Sequence, residues 1–188
     1  MKFSVLSTRQ LIYYPSCETP IPQHICTPCD THEHARVRGV AFIKKAFAFV
    51  DPSSATEWQD GVASGDIIII PQTNGSFDGG TPQEGPGYGD SVSTYIGSDF
   101  VLQFKDPLYS ENCSFYNALK KSRNYKIAYL TETKVHISGK PVVVLPKAPI
   151  ADDINGIVEW DVTAKWRESE IPCPYDIPEG IFDCFLTE

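Results

Sequence analysis

Residues 157–166 read IVEWDVTAKW. Val158, Trp160, Val162, Ala164 and Trp166 alternate with Glu159, Asp161, Thr163 and Lys165. A period of two places the first set on one face of an extended chain and the second on the other. One face is apolar and one is charged, so the segment reads as a strand of a sheet with one wet side.

The same pattern extends outward along the chain. DFVLQFKD (99–106) groups Phe100, Leu102 and Phe104. YKIAYLTETKVHISG (125–139) alternates as well, with Tyr125, Ile127, Tyr129, Val135 and Ile137 expected on one face. GKPVVVLPK (139–147) follows a Gly-Lys-Pro break, which suggests a meander or hairpin with its predecessor. DIIIIP (66–71) reads as a short buried strand. ARVRGVAFIKKAFAFV (35–50) is read as one long strand, because Gly39 and its β-branched and aromatic content disfavour a helix.

Two segments read as helical. SENCSFYNALKKS (110–122) offers Ser110 as N-cap, with Phe115 and Leu119 four apart facing the sheet. SSATEWQDGVASG (53–65) fits a short helix ending at Gly65. The stretch 73–90 holds six of the 13 glycines and shows no periodicity, so it is read as a glycine-rich loop. Within it GPGYGD (85–90) lacks the strand and helix a phosphate loop needs. Gly80, Gly87 and Gly89 are read instead as turn residues with positive φ. The fold class is therefore mainly β: a β-sandwich or barrel with one flanking α-helix and long loop or terminal arms. Residues 1–34 form an N-terminal strand and a Cys/His/Pro-rich arm, 35–170 the core and 171–188 an extended C-terminal arm.

The net charge is −8 with no basic stripe, which argues against a protein that holds nucleic acid through its phosphates. The longest aliphatic run is four isoleucines, far short of the ~20 residues a membrane helix needs. The N-terminus lacks the apolar run of a signal peptide, so folding in a cytoplasm is expected, with the six cysteines as thiols or metal ligands.

CTPCDTHEH (26–34) is the densest set of metal-ligating side chains. Cys26 and Cys29 make a C-x2-C knuckle, and His32 and Cys17 would complete a tetrahedral zinc site. A second pair a dozen or more residues away is missing, so a polar loop with free thiols is the competing reading and a structural zinc the favoured metal role. His136 and Glu132 are read as an exposed pair, Cys113 as half-buried packing, and Asp152-Asp153 as turn formers. Trp160 and Trp166 belong to the core, while Trp58 is left open as a possible carbohydrate platform. No cofactor is required by any of these groups.

The order of features in the second half resembles the tail-tube and ring type of virion structural protein from tailed bacteriophages, including the crAss-like group. The resemblance rests on FVLQF, SENCSFYNALKKS and W-x-V-x-x-K-W (160–166) followed by IPCPYDIPEGIF (171–182), with TEWQDGVASGDIIIIPQTNGS (56–76) upstream. It implies a non-enzymatic structural subunit of the virion tail or neck, assembled in the host cytoplasm. Such a subunit forms or joins a homo-oligomeric ring, contacts adjacent tail or neck proteins, and lets DNA pass without binding it specifically or touching a membrane. The charged side chains Glu159, Asp161, Lys165, Lys126, Glu132 and Lys134 would face solvent or lumen, and the glycine loop and both extended ends would contact neighbours. The alternatives are a carbohydrate-binding β-sandwich module and a small zinc-stabilised domain or zinc hydrolase.

Overall fold

The computed structural model describes residues 35–87, 89, 93–150, 152 and 156–182. All belong to one compact unit, Glu33–Glu188. Its elements are β1 (Gly39–Lys44), α1 (Ala55–Ala63), β2 (Ile67–Ile70), β3 (Asn74–Phe77), β4 (Thr81–Gly85), β5 (Thr94–Asp106), α2 (Cys113–Leu119), β6 (Tyr125–Leu130), β7 (Lys134–Ile137), β8 (Val143–Lys147), β9 (Trp160–Glu168) and β10 (Pro174–Asp176).

The strands form two antiparallel sheets. One runs β10-β7-β6-β1-β2, and the other runs β3-β5-β9-β8, with β4 also paired to β5. The long β5 gives one edge to β9 over nine residue pairs and the other to β3 and β4 in succession. The fold is thus mainly β, a sandwich with a flanking helix and not a closed barrel, and both segments read as helical in the sequence are helices among the described residues.

The alternation of β9 is realised. Trp160, Val162, Ala164 and Trp166 are buried against Phe100, Leu102 and Phe104 of β5. Facing them across the sandwich are Val40, Phe42, Ile127 and Tyr129. Phe77, Phe100 and Trp166 stack with ring centroids 5.4–5.9 Å apart at one end of this core. The other face of this outer sheet is wet and carries ion pairs: Asp99 with Arg167, Lys105 with Glu159, and Lys147 with Asp161.

The β10-to-β2 sheet has no wet face at its centre. A second apolar cluster covers its far side, built from Ala41, Ile43, Ile67, Ala128, Leu130 and Val135 under Trp58 of α1 and Phe182 of the tail. Trp58 is fully buried, its Nε1 donates to the Pro52 carbonyl at 2.8 Å, and its ring meets Phe49 and Phe182. This middle sheet therefore lies between the outer sheet and a third layer, which is why GVAFIK and IIII are continuous apolar runs.

Several expectations change. The 35–50 stretch is a strand only over β1, after which Phe47 and Phe49 fold back onto the second cluster. The alternation over 125–139 is a hairpin that turns at 131–133, so Ile127 and Tyr129 face the sandwich while Val135 faces the third layer. β8 does not extend that hairpin but crosses to pair with β9. Ser138 eases the departure: its hydroxyl accepts from Ile127 N at 3.0 Å and donates to the Lys140 carbonyl at 2.9 Å. The glycine-rich stretch is not one loop, because β3 and β4 pair with β5 through backbone groups that need no apolar pattern. α2 starts after Asn112 rather than Ser110, whereas α1 ends as expected with Gly65 at φ +72°. Residues 174–182 are not a free arm: β10 pairs with β7, and Ile177, Ile181 and Phe182 pack on the middle sheet.

Candidate assembly surface

Among the described residues, eleven large apolar side chains are exposed, and seven of them lie at the two ends of the outer sheet. At the end where β5 finishes and β9 begins are Leu108, Tyr109, Ile150 and Ile157, the last two 74% and 80% exposed. At the opposite end, where β5 begins and β9 finishes, are Tyr95, Ile96 and Ile171, with Ile96 56% and Ile171 62% exposed. The 13 residues of β5 separate the two groups by about 40 Å. The other four, Val50, Val62, Leu145 and Tyr175, are scattered.

The first end is fixed by Asp106, which is 1% exposed. Its carboxylate accepts from Tyr116 Oη and Asn112 Nδ2 at 2.7 Å each and from Leu108 N at 2.9 Å. Three donors satisfy a buried charge that would otherwise be costly. The bonds tie the end of β5 to α2 and force residues 107–112 into a turn that projects Leu108. Trp160 Nε1 donates to the Tyr109 carbonyl at 3.0 Å and fixes the same turn to β9. Burial, then the hydrogen bond and charge of Asp106, push the Tyr116 phenol far above its ordinary range, so it stays a donor.

The second end is set by a bulge. The β4–β5 register shifts at Gln83/Glu84, opposite Gly97 at φ +126°, and a Cβ on Gly97 would lie 3.1 Å from the Glu168 carbonyl oxygen. The extra residue lets Tyr95 and Ile96 both reach solvent. Tyr95 Oη donates to the Ser169 carbonyl at 2.9 Å and accepts from Ser98 Oγ at 2.9 Å. Next to it the Arg167 guanidinium holds Asp99 through two bonds of 2.6 and 2.7 Å and keeps that carboxyl below its usual range.

Cys17, Cys26, Cys29 and His32 lie outside the described residues, as does Cys184. No group of three or more His, Cys, Asp or Glu side chains able to hold a metal occurs among the described residues. Cys113 and Cys173 are exposed and unpaired, so Cys113 is not packing. His136 is not an exposed partner of Glu132: its ring stacks on Tyr129 at 4.9 Å, and its Nδ1 meets the Pro172 carbonyl at 3.0 Å. Glu132 is near Arg38 instead. The six charged residues do not share a face. Glu159, Asp161 and Lys165 are on the outer sheet's side, while Lys126, Glu132 and Lys134 belong to the β6–β7 hairpin. Trp58 is buried and offers no platform. Gly80 and Gly89 have positive φ.

Asp106 and the apolar ends carry no periodic signal in the sequence. The Asp-Pro step at 106–107, with Asn112 and Tyr116 following, was the available signal for the first, and isolated isoleucines in the polar APIADDINGIVE stretch (148–159) for the second. No helix among the described residues is long and apolar enough to cross a membrane. The chain matches no family model, no curated protein and no solved structure.

Proposed function

We propose that the protein is a structural subunit of a bacteriophage virion that joins copies of itself head to tail into a ring of the tail or neck. The observation that carries this is the placement of two different apolar groups at opposite ends of one rigid sheet. A patch at each end suits a heterologous contact, and repeating such a contact closes a ring when the rotation allows. The contact itself, not a reaction, is the activity.

Two further features support the reading. The outer sheet's wet face is lined with paired charges, and the chain's net charge is −8. A surface of that kind facing a lumen would not retain DNA passing it. The resemblance of 160–166 and 171–182 to tube and ring proteins points the same way, and with it to assembly in the host cytoplasm and incorporation in the virion.

Ile157→Lys and Ile96→Lys test the contact from its two sides. Burying one isoleucine is worth about 1.5–3 kcal/mol, so each change should weaken self-association by about tenfold or more. Sedimentation velocity reads the assembly and far-ultraviolet circular dichroism the fold. Wild-type assembly in both variants, each folded, would remove the end-to-end contact.

A further inference from the structure

The segment just before β1 ties the two sheets together. Val37 exchanges two backbone hydrogen bonds of 3.1 Å with Gly75 of β3, and Arg38 N donates to the Leu130 carbonyl of β6 at 2.8 Å. Beside this bridge lies a cavity of about 360 Å³, within the range of small-molecule sites. Phe77, Tyr129, His136, Ile171 and Pro172 line it, together with Arg36.

The walls are aromatic and held in place. Tyr129 packs on Phe77 at 4.8 Å and on His136 at 4.9 Å, the latter pair within 2° of parallel. Phe77 is braced in turn by Phe100 and Trp166. A carbonyl only accepts, so the His136 Nδ1 carries a proton and donates it to Pro172 at 3.0 Å, which fixes both the imidazole and the Pro172 wall.

Two polar groups of the cavity lack partners. Tyr129 is 2% exposed, yet its hydroxyl forms no hydrogen bond among the described residues, where a buried phenol ordinarily finds one. Burial, then the charge of Asp78, push this phenol well above its ordinary range, so it keeps a proton to donate. Arg36 is exposed and forms no ion pair among the described residues. No described carboxylate lines the cavity, although the chain has 24 acidic residues.

We infer that the cavity binds a small aromatic carboxylate. The ring lies against the aromatic wall, where stacking adds to apolar burial. The carboxylate meets the Arg36 guanidinium, whose fork of donors matches two oxygens. The Tyr129 hydroxyl donates to an oxygen of the ligand and so gains the partner it lacks. The site is independent of the end-to-end contact, since neither Arg36 nor Tyr129 belongs to the two apolar groups.

Isothermal titration calorimetry of the full chain with 2-naphthoate tests the site. Arg36→Ala, at an exposed position, should weaken binding about tenfold or more, the worth of a charge-assisted hydrogen bond. Tyr129→Phe should weaken it about fivefold, with the urea midpoint unchanged or raised because the hydroxyl has no partner to lose. A tyrosine with only a structural role would instead lose stability and leave binding unchanged. The uncharged 2-naphthylmethanol and the non-aromatic cyclohexanecarboxylate should both bind more weakly than 2-naphthoate. No uptake of 2-naphthoate overturns the inference, as does equal affinity in the wild type and Arg36→Ala, or equal binding of either comparison compound. A side chain of a neighbouring copy as the occupant would show as uptake that disappears with rising protein concentration, and it also overturns the small-molecule reading.

Discussion

The two sheets use the same strand chemistry in different surroundings. In the outer sheet, β9 alternates buried Trp160, Val162, Ala164 and Trp166 with Asp161, Lys165 and Arg167, which face water or an ion pair, and with Thr163, which its neighbours bury. In the middle sheet, five of the six β1 residues are buried, because the third layer of α1, Phe47, Phe49 and the tail covers the far side. The lesson is that alternation in a sequence reports what lies on the second face of a strand, not whether a strand is present. A sheet with one wet face also keeps its ends and rim free for contacts, while the covered sheet supplies rigidity.

The largest expected effect breaks the middle sheet's cover. Trp58→Ala leaves a cavity beneath α1 and should cost about 3–5 kcal/mol in urea unfolding. A loss near zero would mean that the third layer does not stabilise the sheet. Next comes the Asp106 cluster, where the two sheets meet α2. Tyr116→Phe removes one donor from a carboxylate that is 1% exposed and should cost about 1–3 kcal/mol, with assembly reduced as the 107–112 turn loosens.

A smaller effect concerns Gly61, in the middle of α1. An alanine in an exposed helix interior gains about 1 kcal/mol over glycine. Here the added Cβ would fall on the Ile67 side chain and lie 3.1 Å from Phe47, so Gly61→Ala should give no gain or a loss. A clear gain in thermal midpoint would show that α1 packs more loosely on β2 than described.

The smallest effect lies on the wet face. Hydrogen bonding to Arg167 lowers Asp99, so its folded value is below its unfolded one. The stabilisation is present above the ordinary aspartate range and is lost as the pH falls through the lowered value. Asp99→Asn should flatten that acid limb slightly, and the difference should shrink with added salt because the pair is exposed. An effect as large as that of Tyr116→Phe would contradict the contrast between the faces.

What was legible follows from the same contrast. β5 and β9 could be read from period two because water lies on one side of them. β2 was read with its bounds in DIIIIP, whereas β1 was recognised as apolar but not delimited, since nothing in GVAFIKKAFAFV marks where a doubly covered strand turns into a layer that covers it. β3 and β4 were hidden by glycine and polar residues, because edge pairing with β5 is a backbone matter. The hairpin at 131–133 inverted the expected face of Val135, and with it the setting of His136, which stacks on Tyr129. At the candidate surface, isolated isoleucines carried no period at all, and their grouping appears only when β5 and β9 bring residues 96, 108, 157 and 171 to common ends.

The ring is the central claim, and negative-stain electron microscopy of the full wild-type chain at high concentration addresses it most directly. The head-to-tail contact requires closed rings of uniform symmetry, absent in Ile157→Lys. Particles that remain single subunits at every concentration, or pair only as two-fold dimers through one face, would contradict it.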